Sequence, residues 1–292
     1  MFLFGALSIS DITYALASDV AMHADDTIIY YSSASIDDIN AAINADLEAL
    51  RYWLEGNKLS LNVLKTQGMI IGSRCKLHSI DLPSSSKPDL NIGNEEITMV
   101  HNTKYLGLQV DDQLKWSTHL SSTIKKVSRG IGMLKYSKRY LPKENLIMLY
   151  RSLVEPYFRY CCPVWGSCGA SALDKLQKLQ NRATRIVTNS PYDTSALPLI
   201  KNLGWLTIRE LIDFETSKMV YKSLNALAPD YLRNIFQSVS EATNRQLRNS
   251  KTGLRLPLLR TSTGQKSFAY KGAKVWSDLD SGVKASSSLC TF

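Results

Sequence analysis

Apolar residues recur at helical spacing early in the chain. Five of them are separated by intervals of four, four, three and four positions, which places them on one face of a helix: Ile39, Ile43, Leu47, Leu50 and Leu54. Ser35 precedes this run, and Asp38 stands three positions after Ser35, which is the spacing of a capping box. Because Gly56 and Asn57 supply a stop, we predict one amphipathic helix between these limits, packed on a sheet.

A shorter pattern precedes this helix. Residues 20–31 form two short apolar runs on either side of His23-Ala24-Asp25-Asp26, a pattern that predicts a β-hairpin with a polar tip. Further strands are predicted around residues 59–63, 68–72, 97–100 and 105–110, with a loop rich in serine, proline and lysine at 83–88. Together these elements predict an α+β module with a small antiparallel sheet that ends near Trp116.

The pattern becomes helical after Trp116. Three groups of apolar residues at spacings of three or four predict three amphipathic helices in a small bundle: Ile124 to Leu134, Leu146 to Leu153 and Leu173 to Val187. A further helix is predicted from Thr207, which has Glu210 at capping-box spacing, toward Pro229. We therefore predict three parts, the last of them mostly helical: residues 1–116, 117–190 and 191–292.

The charge distribution favours a polyanionic partner. The net charge is +9, yet residues 1–60 carry nine acidic and two basic residues, whereas 117–190 carry thirteen basic and three acidic residues. Because the solvated face of a helix normally mixes both signs, this excess indicates contacts with phosphates, as in a nucleic acid. Aromatic residues can stack on bases, but we expect those of the bundle in the core or at its edge: Tyr136, Tyr140, Tyr157 and Trp165.

The five cysteines form neither a disulfide framework nor a zinc pattern. They include no Cys-x-x-Cys pair and no paired histidines lie nearby, so we interpret them as reduced thiols of an intracellular protein, in the nucleus or the cytoplasm. The apolar start, residues 1–9, is too short to span a bilayer and leads straight into Asp11. We therefore predict no association with a membrane.

The predicted hairpin tip resembles a known catalytic motif. His23-Ala24-Asp25-Asp26-Thr27 matches the aromatic-Ala-Asp-Asp-Thr motif of reverse transcriptases, and adjacent carboxylates favour a bound cation because they repel each other. The similarity continues, in order and spacing, through several segments: Trp53-Leu54, 57–62, Lys65-Thr66, Tyr105-Leu106-Gly107, 149–153, 176–183 and parts of 228–276. The chain thus resembles the C-terminal part of a reverse transcriptase, an RNA-directed DNA polymerase, from a jockey-like retrotransposon without long terminal repeats.

The resemblance implies a fold and a set of roles. The three parts would be a partial polymerase palm, a basic thumb and a C-terminal tail region. Asp25 and Asp26 would be catalytic and would bind Mg²⁺ or Mn²⁺, whereas His23 would pack on the sheet. Lys65 would lie near the incoming nucleotide. RNA and DNA, as primer and template, would bind at Tyr105, Leu106 and Gly107. They would also bind at six basic residues: Lys125, Lys126, Arg129, Lys178, Arg182 and Arg185.

The resemblance also predicts a missing part. Members of this family carry a further catalytic aspartate, a nucleotide-binding segment and the template-gripping fingers before the hairpin, and little sequence precedes the hairpin here. We therefore expect the chain to be inactive as a polymerase by itself. The alternative is a non-catalytic nucleic-acid-binding protein derived from such an element, and a third reading is a decayed copy without a selected role.

Overall fold

The computed structural model describes residues 12–24, 26–80, 87–239 and 253–292. Two compact units divide the chain, Met1–Leu114 and Lys115–Phe292. The described part of the first unit mixes helices with short strands, whereas that of the second is helical apart from one isolated bridge between Ser238 and Leu254. The predicted α+β class is confirmed, and the division into three parts stays a prediction. None of the helices in the described ranges is long and apolar enough to cross a membrane.

A β-hairpin lies near the start of the first unit. Strands β1 (Asp19–His23) and β2 (Asp26–Tyr30) are antiparallel, and the last residue of β1 pairs with the first residue of β2. Only two residues connect the strands. The first of them, Ala24, has a positive φ of 54°, as is usual in two-residue hairpin turns. The predicted hairpin is therefore confirmed.

The long helix α2 (Ile36–Gly56) also forms as predicted. The Ser35 hydroxyl accepts the N–H of Asp38 at 3.5 Å, which is one half of a capping box. The other half is relayed, because the Asp38 carboxylate accepts the Ser33 hydroxyl at 2.9 Å and that hydroxyl accepts the N–H of Ser35 at 3.2 Å. One free N–H of the first turn is thus satisfied by the Ser35 side chain, and the N–H of Ser35 itself is satisfied by Ser33, which Asp38 holds in place.

A buried carboxylate joins α2 to the segment before the hairpin, where α1 (Ile12–Ala15) ends. Asp46 is 3% exposed, and its two carboxylate oxygens accept the N–H groups of Ala17 and Ser18 at 2.8 and 2.9 Å. This anchor lies beside the apolar core of the unit, which is formed by five buried side chains: Leu16, Leu47, Leu50, Ile92 and Ile97.

The remaining strands of the first unit are shorter than predicted. Pairs β3–β6, β4–β5 and β7–β8 form separate two-stranded sheets, the first of them parallel. A 3-10 turn (Val63–Lys65) and α3 (Arg74–Ile80) complete the described unit. The strands are β3 (Gln67–Gly68), β4 (Asn91–Ile92), β5 (Glu95–Glu96), β6 (Thr98–Met99), β7 (Asn102–Tyr105) and β8 (Leu108–Asp111).

Two predicted strands are wrong. Residues 59–63 form no strand, because the N–H of Leu59 bonds back to the carbonyl of Leu54 at 2.8 Å and the chain then enters the 3-10 turn. Residues 105–110 are not one strand: a two-residue turn, Leu106 and Gly107, separates the end of β7 from β8, with Tyr105 paired to Leu108. Leu106 and Gly107 have φ of 44° and 82°, which is the backbone of a tight hairpin and not of a strand.

The second unit contains the predicted bundle. Helix α4 packs against α5 and α8, and its side chains Val127, Ile131 and Leu134 are fully buried. Two short helices lie between α5 and α8. The bounds are α4 (Ser117–Ser137), α5 (Lys143–Leu153), α6 (Glu155–Arg159), α7 (Cys162–Trp165) and α8 (Ala170–Val187).

The bundle continues into the following helices without a break in packing. The predicted capping box at Thr207 and Glu210 is complete in both directions. Two glutamines join helix α8 to the start of α10 (Ile208–Leu224). Gln177 Oε1 accepts the N–H of Ile208 at 2.9 Å, and Gln180 Nε2 donates to the carbonyl of Leu206 at 2.8 Å. The bounds are α9 (Ala196–Asn202), α10 (Ile208–Leu224), α11 (Asp230–Arg233), α12 (Ser262–Gln265), α13 (Phe268–Asp278) and α14 (Ser281–Lys284).

Candidate functional site

The hairpin tip presents an acidic residue to solvent. Asp26 begins β2 and is exposed, and His23 lies directly opposite it. Asp25, the other predicted catalytic residue, lies outside the described residues. The expectation that His23 packs on the sheet is wrong: successive side chains of a strand point to opposite faces, and since Val20 and Met22 pack toward the core, His23 is exposed with Ala21.

The chemistry of the tip suits a hard divalent cation, because carboxylate oxygens are the ligands that Mg²⁺ prefers. Among the described residues, no three histidine, cysteine, aspartate or glutamate side chains come together as a metal site. A metal ion held by Asp25 and Asp26 therefore stays a prediction that rests on the resemblance.

The other predicted residues of the first unit lie on separate elements. Lys65 is exposed at the end of the 3-10 turn. Leu106 and Gly107 are exposed at the turn between β7 and β8. A hydrogen bond of 2.8 Å from the Thr103 hydroxyl to Gln67 Oε1 holds this second hairpin to β3. The roles of Lys65 and of the second turn stay predictions.

Helix α4 exposes a surface whose charged residues are all basic. Lys125, Lys126 and Arg129 are all exposed and lie opposite the buried side chains of the helix. Lys126 Nζ is 5.7 Å from the centre of the Tyr157 ring, a cation–π contact. Residues 113–143 contain eight basic residues and no acidic one. No carboxylate on this segment competes with a phosphate for these cations.

Helix α8 carries a second basic stripe. Lys178 and Arg182 are exposed and Arg185 is half-buried, and spacings of four and three place them on one face of the helix. Arg185 already has a structural task, because its Nε donates to the carbonyl of Thr194 at 2.7 Å and its guanidinium lies 5.7 Å from the centre of the Tyr192 ring. Only part of its donor capacity remains for a ligand.

A polar cavity of about 420 Å³ between α8, α9 and the start of α10 was missed by sequence reasoning. Arg185 and Arg209 line it, and Arg209 is paired with Asp174 at 3.1 Å. Gln177 Nε2 donates to Asn181 Oδ1 at 2.8 Å within the same lining. No sequence signal marks this cavity, because its walls come from three helices whose arrangement depends on tertiary packing.

The aromatic residues of the bundle divide into buried and exposed groups. Trp165 is fully buried, and its Nε1 donates to the carbonyl of Tyr160 at 2.7 Å, which confirms a core role. Tyr136 and Tyr140 lie outside the core, because they are 68% and 69% exposed, which leaves the edge of the bundle among the two predicted locations. A sequence signal existed: Tyr136 follows Lys125 by eleven residues, about three turns, and so belongs to the basic stripe of α4.

Two of the three acidic residues of the bundle, Glu155 and Asp174, are already paired. Arg159 of α6 contacts both Glu155 and Glu215 of α10. Although burial opposes its charge, these two carboxylates raise the pKa of Arg159 above its usual value. Since Asp174 is paired with Arg209, the carboxylates at 155 and 174 are engaged within the protein. The basic stripes of α4 and α8 therefore dominate the exposed charge of the bundle.

The cysteines fit the prediction of free thiols. None of the five cysteines is part of a disulfide. Cys162 is fully buried, and burial raises the pKa of its thiol to about 12. A thiol of this kind behaves as a small apolar side chain and not as a nucleophile or a metal ligand.

The chain is similar to polymerases of mobile elements from Drosophila melanogaster. It is 25% identical to the probable RNA-directed DNA polymerase from transposon BS over 202 residues, which are 68% of this chain and 22% of that protein. The corresponding values are 21% over 211 residues (71% and 22%) for transposon X-element, and 23% over 176 residues (59% and 18%) for mobile element jockey.

The similarity has clear limits in coverage. The chain spans about a fifth of the length of these curated relatives. No family model matches it, and no solved structure matches it. Within those limits, the resemblance to the RNA-directed DNA polymerases of jockey-like retrotransposons without long terminal repeats is confirmed.

Proposed function

We propose that the chain is part of a retrotransposon reverse transcriptase, in which the first unit carries a catalytic hairpin and the second unit binds primer and template. The observation that carries the proposal is the exposed carboxylate at the hairpin tip, in the Ala-Asp-Asp-Thr motif, of a chain similar to three such polymerases. In this proposal, residues 1–116 form part of the palm, 117–190 the thumb and 191–292 a tail region.

The first unit supplies metal ligands and substrate contacts. Asp25 and Asp26 hold Mg²⁺ or Mn²⁺, and the bound ions align the primer hydroxyl and stabilise charge on the leaving pyrophosphate. Lys65 offsets charge on the incoming triphosphate. The tight turn of Tyr105, Leu106 and Gly107 brings backbone close to the primer end, which its exposure permits.

Two carboxylates are too few for two metal ions. At an effective dielectric constant of 20, two dications ~4 Å apart repel each other by roughly 17 kcal/mol. Further carboxylates and the substrate phosphates must offset this repulsion. We therefore propose that the chain extends primers only in combination with the other parts of the polymerase.

The second unit supplies affinity for the phosphate backbone. The exposed cations of α4 and α8 neutralise phosphates and release counterions, so binding weakens as salt rises. These contacts hold a nucleic acid in place without reading its sequence. RNA and DNA are both suitable ligands for such a surface.

The test of the polymerase function is primer extension on an RNA template with Mg²⁺. The chain is compared with a fusion that adds the preceding region of the transposon BS polymerase, and both are first checked for binding of primer and template. We expect extension by the fusion alone, and its loss when Asp25 and Asp26 are changed to Asn. Extension by the chain alone would contradict the proposed incompleteness, and a fusion that binds but never extends would contradict the polymerase function.

A second function is favoured by the basic surface of α4, which does not depend on the hairpin. The chain would then be a non-catalytic nucleic-acid-binding protein derived from such an element. Binding that is unchanged when Asp25 and Asp26 become Asn, in a fusion without activity, would support it.

Both functions require the basic stripe to contact phosphates, and the dependence of affinity on salt measures this. Changing Lys125 and Arg129 to Gln is expected to reduce the slope of log K against log salt by about 1.8 on duplex DNA. The control removes two exposed cations elsewhere in the second unit, Arg233→Gln with Lys266→Gln. An equal change in slope for both double variants would show that net charge, and not the stripe, governs binding.

A further inference from the structure

Two tyrosine rings stand in solvent at the C-terminal end of α4. Tyr136 and Tyr140 are 68% and 69% exposed, and their ring centres are 5.7 Å apart with the planes inclined by 53°. Met133, one turn earlier, is 49% exposed. Large rings normally contribute to stability by leaving water, and these two contribute little in that way. Their position therefore suggests a ligand with aromatic faces.

The backbone beneath the rings is fixed by hydrogen bonds. The N–H groups of Tyr140 and Leu141 both donate to the carbonyl of Ser137, at 2.9 and 3.0 Å. Pro142 then starts α5 directly as its N-cap residue. Because this corner joins two packed helices, the backbone that carries the rings is held in place before any ligand arrives, which reduces the entropy lost on binding.

The ring pair continues the basic stripe of α4. Lys125, Arg129, Gly132 and Tyr136 follow one another at intervals of four, three and four, so they share one face over about 17 Å. Gly132 is exposed, and a Cβ added there would meet no atom within 4 Å. The stripe thus offers cations, then an open stretch of helix backbone, and then aromatic rings.

The charge around the rings selects the ligand. Five cations lie within seven residues of Tyr136, and no acidic residue occurs between positions 113 and 143: Arg129, Lys135, Lys138, Arg139 and Lys143. Apolar protein surfaces would meet this charge at a cost, whereas a polyanion is attracted by it. Tyr231 provides a contrast, because it is 67% exposed but follows Asp230 directly.

We propose that Tyr136 and Tyr140 stack on unpaired bases of a single-stranded nucleic acid whose phosphates run along Lys125 and Arg129. Stacking on aromatic side chains is a general means of holding single strands, since every base has a π-face. A duplex keeps those faces covered by neighbouring base pairs, so it can use the cations but not the rings. The proposal rests on the proposed binding of nucleic acid by the second unit and adds the single-stranded form to it.

The test measures binding of the full chain to a fluorescent 20-residue oligo(dT) and to a duplex of mixed sequence, by anisotropy. Tyr136→Ala and Tyr140→Ala are each expected to weaken binding of the single strand about tenfold, and binding of the duplex less than about twofold. Tyr136→Phe and Tyr140→Phe keep the stacking face and should stay within about twofold of the unaltered chain. Tyr231→Ala, equally exposed, should leave both affinities unchanged.

The salt dependence separates this proposal from the one on which it rests. Stacking releases no counterions, so the Ala variants should keep the salt slope that Lys125→Gln and Arg129→Gln reduce. If the unaltered chain binds neither oligonucleotide, the proposed binding function and this inference both fail. The unaltered chain could instead bind both oligonucleotides with a steep salt slope. If the affinities of the Ala variants then equal those of Tyr231→Ala, or fall equally for the single strand and the duplex, only the stacking role is overturned. Circular dichroism of each variant confirms that α4 remains folded.

Discussion

A glycine decides how closely α4 and α5 pack. A Cβ built on Gly130 would lie 2.7 Å from the carbonyl oxygen of Leu153 and 3.0 Å from Cγ2 of Val154. Val154 is fully buried and the carbonyl belongs to the backbone, so neither atom can move aside without shifting a helix. Overpacking of this kind costs about 1–3 kcal/mol, whereas alanine recovers about 1 kcal/mol of helix propensity. Since the closest contact is with backbone, we expect Gly130→Ala to destabilise the second unit by about 1–2 kcal/mol.

The same helix contains the matched control. Gly132 lies two residues later on the open face, and a Cβ there meets nothing within 4 Å. Gly132→Ala therefore gains helix propensity without a clash and is expected to stabilise by about 0.5–1 kcal/mol. Gly→Ala thus changes the free energy of unfolding in opposite directions at two positions of one helix. The difference between the two changes separates the packing contact from helix propensity.

Urea unfolding of the full chain, followed by tryptophan fluorescence, measures both variants. Four of the five tryptophans belong to the second unit, so the signal reports mainly on that unit. The midpoint should fall for Gly130→Ala and rise for Gly132→Ala, with little change in the slope against urea. Equal midpoints for the two variants would refute the close approach of α4 to the end of α5.

Three further predictions concern single side chains. Asp46→Asn should destabilise the first unit by about 1–3 kcal/mol, because the buried amide would offer only one oxygen to the two N–H groups that the carboxylate accepts; urea unfolding followed by circular dichroism measures the loss. Hydrogen bonds from the backbone and hydroxyl of its capping partner lower the pKa of Glu210 from its ordinary 4.5, so its stabilising effect is present above pH 4.5 and is lost as the pH falls through the lowered pKa. When the pH is lowered from 5 to below the lowered pKa of Glu210, the urea midpoint of unfolding should therefore fall less for Glu210→Gln than for the unaltered chain. Iodoacetamide at pH 8 should label the exposed Cys75 and Cys290 first and Cys162 only after unfolding, as peptide mass spectrometry would show; labelling of Cys162 at the rate of Cys75 would contradict its burial.

The helices were predictable because their signals are local. In α2, α4, α5 and α8 the apolar residues repeat within a few positions of one another, so a reading of the sequence contains all the information that sets the buried face. The cap of α10 is equally local, since Thr207 and Glu210 are three residues apart and the side chain of each accepts the N–H of the other. The same holds for the first hairpin, whose two short apolar runs flank a polar tip and pair across a single turn.

The strands were predicted less well because their partners are distant. Strand β3 pairs in parallel with β6 over two residues from each strand, about thirty positions apart, and no period in the sequence marks such a short ladder. At residues 105–110 the apolar run was interpreted as a strand, although Gly107 is the residue type that a tight turn favours. The backbone there, with positive φ at Leu106 and Gly107, shows that the turn signal outweighed the apolar run.

The candidate site shows the same division. The exposure of Asp26 follows from its place at the polar tip between two apolar runs, and that of Tyr136 follows from its phase on α4, so both were within reach of the sequence. The pairing of Arg185 with the carbonyl of Thr194 and the anchoring of two N–H groups by Asp46 were not. Each depends on where a second segment lies in space, which the pattern of one segment does not contain.

The two faces of α4 make stability and binding separable. Gly130 lies on the face that packs against the end of α5, and Tyr136 lies on the exposed face with the basic stripe. If side chains of the exposed face bind the nucleic acid, Tyr136→Ala should change affinity without changing the unfolding midpoint. Gly130→Ala should do the reverse at temperatures and urea concentrations where the unit stays folded. Loss of affinity in both variants would mean that the position of α4, and not the side chains it exposes, determines binding, and the stacking role would then have to be abandoned.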